Sequence, residues 1–137
     1  MIGIVIVTHS QLGDALIEAA EFILGTRPDT MVSVSINLNE HVNKLRKKIA
    51  EAIKKVDRNR GVLILTDMFG GTPSNLSYSF LEEGRIEVIS GVNLPILIKA
   101  VDIQKEMELS ELAEQLEAYG KKSISLASGI LKGNKRT

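Results

Sequence analysis

His9 stands directly after an apolar run, Ile2–Val7, and directly before a stretch of helical spacing that opens near Gln11. In a parallel sheet the end of a strand is where a ligand-facing group belongs. A helix start beside it offers free N–H groups and a dipole that favour an anion. The neutral imidazole is nucleophilic near neutral pH, so a phosphoryl group carried on a ring nitrogen would sit in that field. Asp67 follows a second apolar run, Gly61–Thr66 (GVLILT), which in a doubly wound sheet can lie beside the first. An aspartate there could accept a hydrogen bond from one nitrogen of His9, fix the tautomer, and support the ring when it becomes charged. The plainer readings are a solvated loop histidine and an aspartate that caps its own loop.

Gly70, Gly71, Thr72 and Pro73 come next. Two glycines let backbone N–H groups approach an anion closely, and the Thr72 hydroxyl can add a donor. Otherwise the pair only forms a turn. The segment Gly91–Pro95 has the same position after the fourth expected strand and reads equally as a ligand loop or a strand–helix connection. His41, the only other histidine, opens an amphipathic helix and is expected to be solvated. With no cysteine and two histidines in unrelated places, no bound metal is expected. The fingerprints of dinucleotide, P-loop and nucleophile-elbow sites are missing, so no cofactor is expected either.

The elements that must position these residues follow from periodicity. Ile2–Val7, Met31–Ile36, Gly61–Thr66 and Arg85–Ser90 read as strands, the first and third apolar throughout, as strands covered on both faces are. Gln11–Leu24 has helical spacing with Gly25 past its end. Asn39 is placed to cap a helix with Val42, Leu45, Ile49, Ile53 and Val56 on one face. Thr72-Pro73 reads as an N-cap with proline first, opening a helix to about Glu83. A short helix after Pro95, another over Ser110–Tyr119 and a short last strand over Ser123–Ala127 complete the pattern. Strands alternating with helices imply an α/β fold, a single doubly wound, mainly parallel sheet with helices on both faces.

A length of 137 residues suits one domain, and 44% hydrophobic residues suffice for a core. Seventeen basic residues balance seventeen acidic ones, which gives no broad electrostatic reason to bind nucleic acid or anionic lipid. The opening MIGIVIVTHS lacks a basic region and a cleavage site, and its apolar run is too short to span a bilayer. A cytoplasmic protein is expected.

The motifs in order, Thr-His-Ser (8–10), Asp-Met-Phe-Gly-Gly-Thr-Pro-Ser-Asn (67–75) and Ser-Gly-Val-Asn-Leu-Pro (90–95), resemble the enzyme IIA component of the mannose/fructose/sorbose family of the bacterial phosphoenolpyruvate-dependent sugar phosphotransferase system. The resemblance runs from Met1 to about Ala127, leaving 128–137 as a polar, basic tail. It implies that His9 accepts a phosphoryl group from the phosphocarrier HPr and passes it to a IIB component. It implies that Asp67 orients His9 and that Ser10, Gly70, Gly71 and Thr72 form the phosphate-binding surround. A homodimer is implied, with the last strand able to pair with the partner's sheet, and contact with the membrane arises only through IIC and IID components. Many members have glycine where this chain has Ser10. Three other readings remain open at this level. One is a receiver domain phosphorylated on Asp67, with Lys121 or Lys122 before the last strand, but Thr8-His9-Ser10 stands where receivers need acidic residues for Mg²⁺. The others are a non-covalent anion-binding module and a stand-alone regulatory phosphoprotein of the same family.

Overall fold

The computed structural model describes residues 1–132. Its strands are β1 (Gly3–His9), β2 (Met31–Ile36), β3 (Val62–Thr66) and β4 (Ile86–Ser90), and its helices are α1 (Leu12–Leu24), α2 (Val42–Val56), α3 (Thr72–Tyr78), α4 (Leu94–Ile103), α5 (Leu109–Lys122) and α6 (Ala127–Leu131). All strand pairs are parallel, in the order β2-β1-β3-β4. The doubly wound α/β architecture expected from the alternation is therefore present.

The apolar runs explain the layering. Successive strand residues face opposite sides, so a run without polar alternation must be covered twice. Ile4, Ile6, Leu63 and Leu65 pack with α1, α4 and α5 through Ile17, Ala20, Leu97, Ala100, Leu112 and Leu116. Val5, Val7, Val62 and Ile64 pack with α2 and α3 through Leu45, Ile49, Ile53, Val56 and Leu76. Residues 4–7 and 63–65 have no exposed surface, as their composition predicts. Gly3 marks a close backbone approach: a Cβ there would fall 2.5 Å from the carbonyl oxygen of Val56, at the end of α2.

From β1 the chain moves to β2 on one side, then crosses to β3 and β4 on the other. The reversal lies between β1 and β3, whose carboxyl ends deliver His9 and Asp67. This is the topological switch point at which open α/β sheets hold ligands.

Several local expectations need correction. The cap of α2 is His41, whose Nδ1 accepts from the Asn43 amide at 3.1 Å, and not Asn39; the side-chain oxygen of Asn37 accepts the Asn39 N–H instead. His41 is exposed, as expected. Thr72 is the first helical residue and Gly71 the cap. That helix ends at Tyr78 rather than near Glu83, because the Ser77 and Ser79 hydroxyls bond back to the carbonyls of Pro73 and Leu76. The segment Ser123–Ala127 adds no strand to the sheet of its own chain: 124–126 are irregular and α6 begins at Ala127. Of the expected tail, 133–137 lie outside the described residues.

Gly3→Ala is expected to lower stability by about 1–3 kcal/mol, because the sheet must part from the end of α2 to admit a methyl group. Urea unfolding checks this: the midpoint should fall with the slope unchanged.

Candidate functional site

His9 closes β1, and its side chain keeps 37% of its surface exposed. Asp67 follows β3 with a side chain only 10% exposed. The two meet at 2.8 Å between His9 Nδ1 and Asp67 Oδ2. The same carboxylate oxygen accepts the His9 backbone N–H at 2.9 Å, and Oδ1 accepts the Met68 N–H at 3.0 Å. Both oxygens are thus fixed, one to each side of the switch point. An ionised carboxylate only accepts, so Nδ1 carries the proton and Nε2 keeps its lone pair.

Burial of the Asp67 carboxyl works to raise its pKa. The bonds from the His9 amide and ring, the charge of His9 and a local backbone N–H outweigh it, so the pKa lies below the ordinary 3.8. The group stays a carboxylate at neutral pH, as its role as acceptor requires.

Around this pair the other expected residues fall into two groups. Gly71 touches the ring: a Cβ built on it would lie 2.8 Å from His9 Cε1 and 3.4 Å from Nε2. The backbone of Gly71 therefore forms a wall at the nitrogen that is free to react. Gly70 turns the loop with a φ of 86° and has open space at its α-carbon. Thr72 follows Gly71 at the start of α3 and is half-buried. Ser10 is exposed and adopts a left-handed φ of 51°, its N–H on the Ile36 carbonyl. That conformation costs an L-residue roughly 1–2 kcal/mol and glycine almost nothing. Among the described residues, no hydrogen bond joins the Ser10 or Thr72 hydroxyl to the His9–Asp67 pair.

Three features were not read from the sequence. The Thr8 hydroxyl, fully buried, accepts the Gly13 N–H at 2.8 Å and so ties the start of α1 to the strand that carries His9. A cluster of hydroxyls from Thr66, Ser74, Tyr78 and Ser90 lies behind the 67–72 loop. Large apolar side chains are exposed on the connections that leave the carboxyl edge of the sheet: Leu12, Leu38, Met68 and Phe69, at 47–78%. The signals were present as Thr8 before His9, hydroxyl residues ending both β3 and β4, and Met-Phe in a loop that polar residues could have filled.

Comparison with known proteins places the chain among relatives of one family. A family model described as "PTS system fructose IIA component" matches residues 3–117. The fructose-specific EIIA component of Bacillus subtilis is 33% identical over 93% of this chain and 88% of its own length. The mannose-specific EIIAB component of Escherichia coli K12 is 32% identical over 90% of this chain, which spans only 39% of that longer protein. A crystal structure of an EIIA component from Streptococcus agalactiae superposes with a TM-score of 0.83 at 27% identity, covering 93% of this chain and 98% of its own.

Two outcomes are expected. Gly71→Ala should push the imidazole off Asp67 and slow chemistry at Nε2 by roughly tenfold to a hundredfold, since a misplacement near 1 Å has that effect; rates measured against the parent check this. Asp67→Asn should lose stability relative to the parent, with a defined pH profile. The folded pKa lies below 3.8, so the deficit is full above that value and vanishes as pH falls through the lowered folded value. Denaturant titrations of both proteins from neutral pH into acid measure it.

Proposed function

The chain belongs to the fructose/mannose-type enzyme IIA family of the phosphoenolpyruvate-dependent sugar phosphotransferase system, and on that premise we propose that it carries a phosphoryl group on Nε2 of His9, received from phospho-HPr and passed to a IIB component. The observation that carries this reading is the 2.8 Å contact between His9 Nδ1 and Asp67 Oδ2. It reserves one ring nitrogen for orientation and leaves the other for attack.

In the transfer, the Nε2 lone pair attacks phosphorus as the P–N bond of the donor phosphohistidine breaks, and that electron pair returns to the donor ring. The Nδ1 proton stays on His9, where the Asp67 carboxylate faces the positive charge spread over the ring. The Gly70 and Gly71 amides, the Thr72 hydroxyl and Ser10 supply donors to the phosphoryl oxygens in this reading. The start of α1 adds a positive potential. The same steps in reverse order deliver the group to IIB.

The donor and acceptor are proteins on this view, which suits the apolar side chains left exposed at the same edge. Leu12, Leu38, Met68 and Phe69 offer an apolar rim about a half-exposed nucleophile. We also infer a homodimer. The exposed Leu126, Ile130 and Leu131 lie in the C-terminal segment, and β4 pairs with β3 alone among the described residues. A groove of about 580 Å³ runs along β4 toward α5. A second copy that lays this segment along that edge would cover both. None of the helices among the described residues is long and apolar enough to cross a membrane. We place the protein in the cytoplasm, with IIC and IID as its indirect route to the membrane.

Incubation with phosphoenolpyruvate, enzyme I and HPr tests the reading. One phosphoryl group per chain is expected, stable in base and labile in acid. His9→Ala should abolish it and Asp67→Ala should slow it. Thr72→Ala should cost about 1.5–3 kcal/mol of transition-state stabilisation, the worth of a hydrogen bond to a charged group. Full labelling of the His9→Ala protein would overturn the assignment.

A further inference from the structure

Asp67 orients His9, but a carboxylate at the mouth of a loop needs something to orient it. One of its oxygens is held by His9 itself. Among the described residues, the other is held by the N–H of Met68, the next residue in the loop. The position of the carboxylate therefore depends on the Met68 backbone, and the carbonyl of that residue accepts from the Ser74 hydroxyl at 2.5 Å. Ser74 lies in the first turn of α3 and is fully buried.

Ser74 is the centre of a larger group. Its hydroxyl oxygen is 2.5 Å from that of Thr66, which ends β3, and 3.0 Å from that of Ser90, which ends β4. Thr66 and Ser90 are 3.0 Å apart, and the Tyr78 hydroxyl is 2.8 Å from Ser90. Four hydroxyl protons thus serve five contacts, counting the one to Met68. The Met68 carbonyl can only accept, so Ser74 donates outward to it and accepts from Thr66 or Ser90 behind it. Thr66 donates to Ser90, and Ser74 is the member of the group that donates to the loop. Packing alone would not call for this: buried hydroxyls cost free energy unless paired, and alanine or valine fill a strand end more simply.

We propose that Ser74, backed by Thr66, Ser90 and Tyr78, is a positioning residue for phosphoryl acceptance, acting through the Met68 peptide on Asp67 and hence on the tautomer of His9. This rests on the reading of His9 as the acceptor. The hydroxyl group joins the ends of β3 and β4 to the loop and keeps Nδ1 as the protonated nitrogen. Without it the Met68 carbonyl loses its donor, the loop shifts, and the imidazole samples the tautomer in which Nε2 is protonated and cannot attack.

The experiment uses the full chain labelled with ¹⁵N-histidine. Only His9 and His41 contribute, and His41→Gln assigns the signals. Ser74→Ala, Thr66→Val, Thr66→Ser and Tyr78→Phe are compared with the parent by nitrogen NMR of the ring, single-turnover transfer from phospho-HPr, and thermal unfolding. The parent should show Nδ1 protonated and Nε2 bare. Ser74→Ala should show mixed tautomers and a transfer rate about tenfold lower, the scale of a displaced reacting group, with the concentration dependence on phospho-HPr unchanged. Thr66→Val, nearly isosteric, should move both readouts the same way, and Thr66→Ser should restore them. A change in melting temperature alone, with ring signals and rate at parent values in Ser74→Ala and Thr66→Val, overturns the proposal. If Ser74→Ala does not fold, Thr66→Val and Tyr78→Phe decide by the same readouts. If the parent accepts no phosphoryl group, the functional reading fails separately, and the tautomer signals still decide whether the hydroxyls position His9.

Discussion

One hydrogen bond across the seam between two parallel strands organises this molecule: His9 Nδ1 on Asp67 Oδ2, at 2.8 Å. It exists only because β1 and β3 are neighbours, although 58 residues separate the two side chains along the chain. That adjacency depends on β1 and β3 being covered on both faces, which their unbroken apolar composition imposes. The rest of the fold then serves the pair. Thr8 ties α1 to β1 behind His9, Gly71 closes against the ring, and the hydroxyls ending β3 and β4 hold the loop that carries Asp67.

The electrostatics of the pair follow from where it lies. A carboxyl mostly covered by protein would ordinarily resist ionisation, yet Asp67 has its pKa held below the usual value by the donors aimed at it. A carboxylate bonded through both oxygens is held in place, and it holds the imidazole in turn. His9 keeps 37% of its side chain exposed, and Leu12, Leu38, Met68 and Phe69 are exposed on the connections at the same edge of the sheet.

Much of this was legible in the sequence, for physical reasons that can be named. Ile2–Val7 and Gly61–Thr66 admit no other placement than the middle of a sheet, and a residue that ends such a strand is displayed at one edge. His9 and Asp67 were readable on that ground. What escaped was set by local competition between hydrogen bonds. Asn39 is a good cap by type, but its N–H is taken by Asn37 and the His41 ring captures the helix start. The apolar pattern past Tyr78 continues through Leu81, yet serine hydroxyls bonded to helix carbonyls end α3 early. The run Ser123–Ala127 has strand-like residues, but within one chain it forms no strand. Hydroxyl residues at strand ends are common, and only the contacts of Thr66 and Ser90 with Ser74, which donates to the Met68 carbonyl, link them to the loop.

The most direct measurement is the site of phosphorylation at the level of a single atom. With ¹⁵N-histidine in the chain and phosphate delivered from phosphoenolpyruvate through enzyme I and HPr, nitrogen–phosphorus coupling identifies the bonded nitrogen. Coupling to Nε2 of His9, with Nδ1 still protonated, is the expected result, because Asp67 already occupies the other side of the ring. Coupling to Nδ1 of His9, to His41, or to no histidine in a fully phosphorylated sample contradicts it.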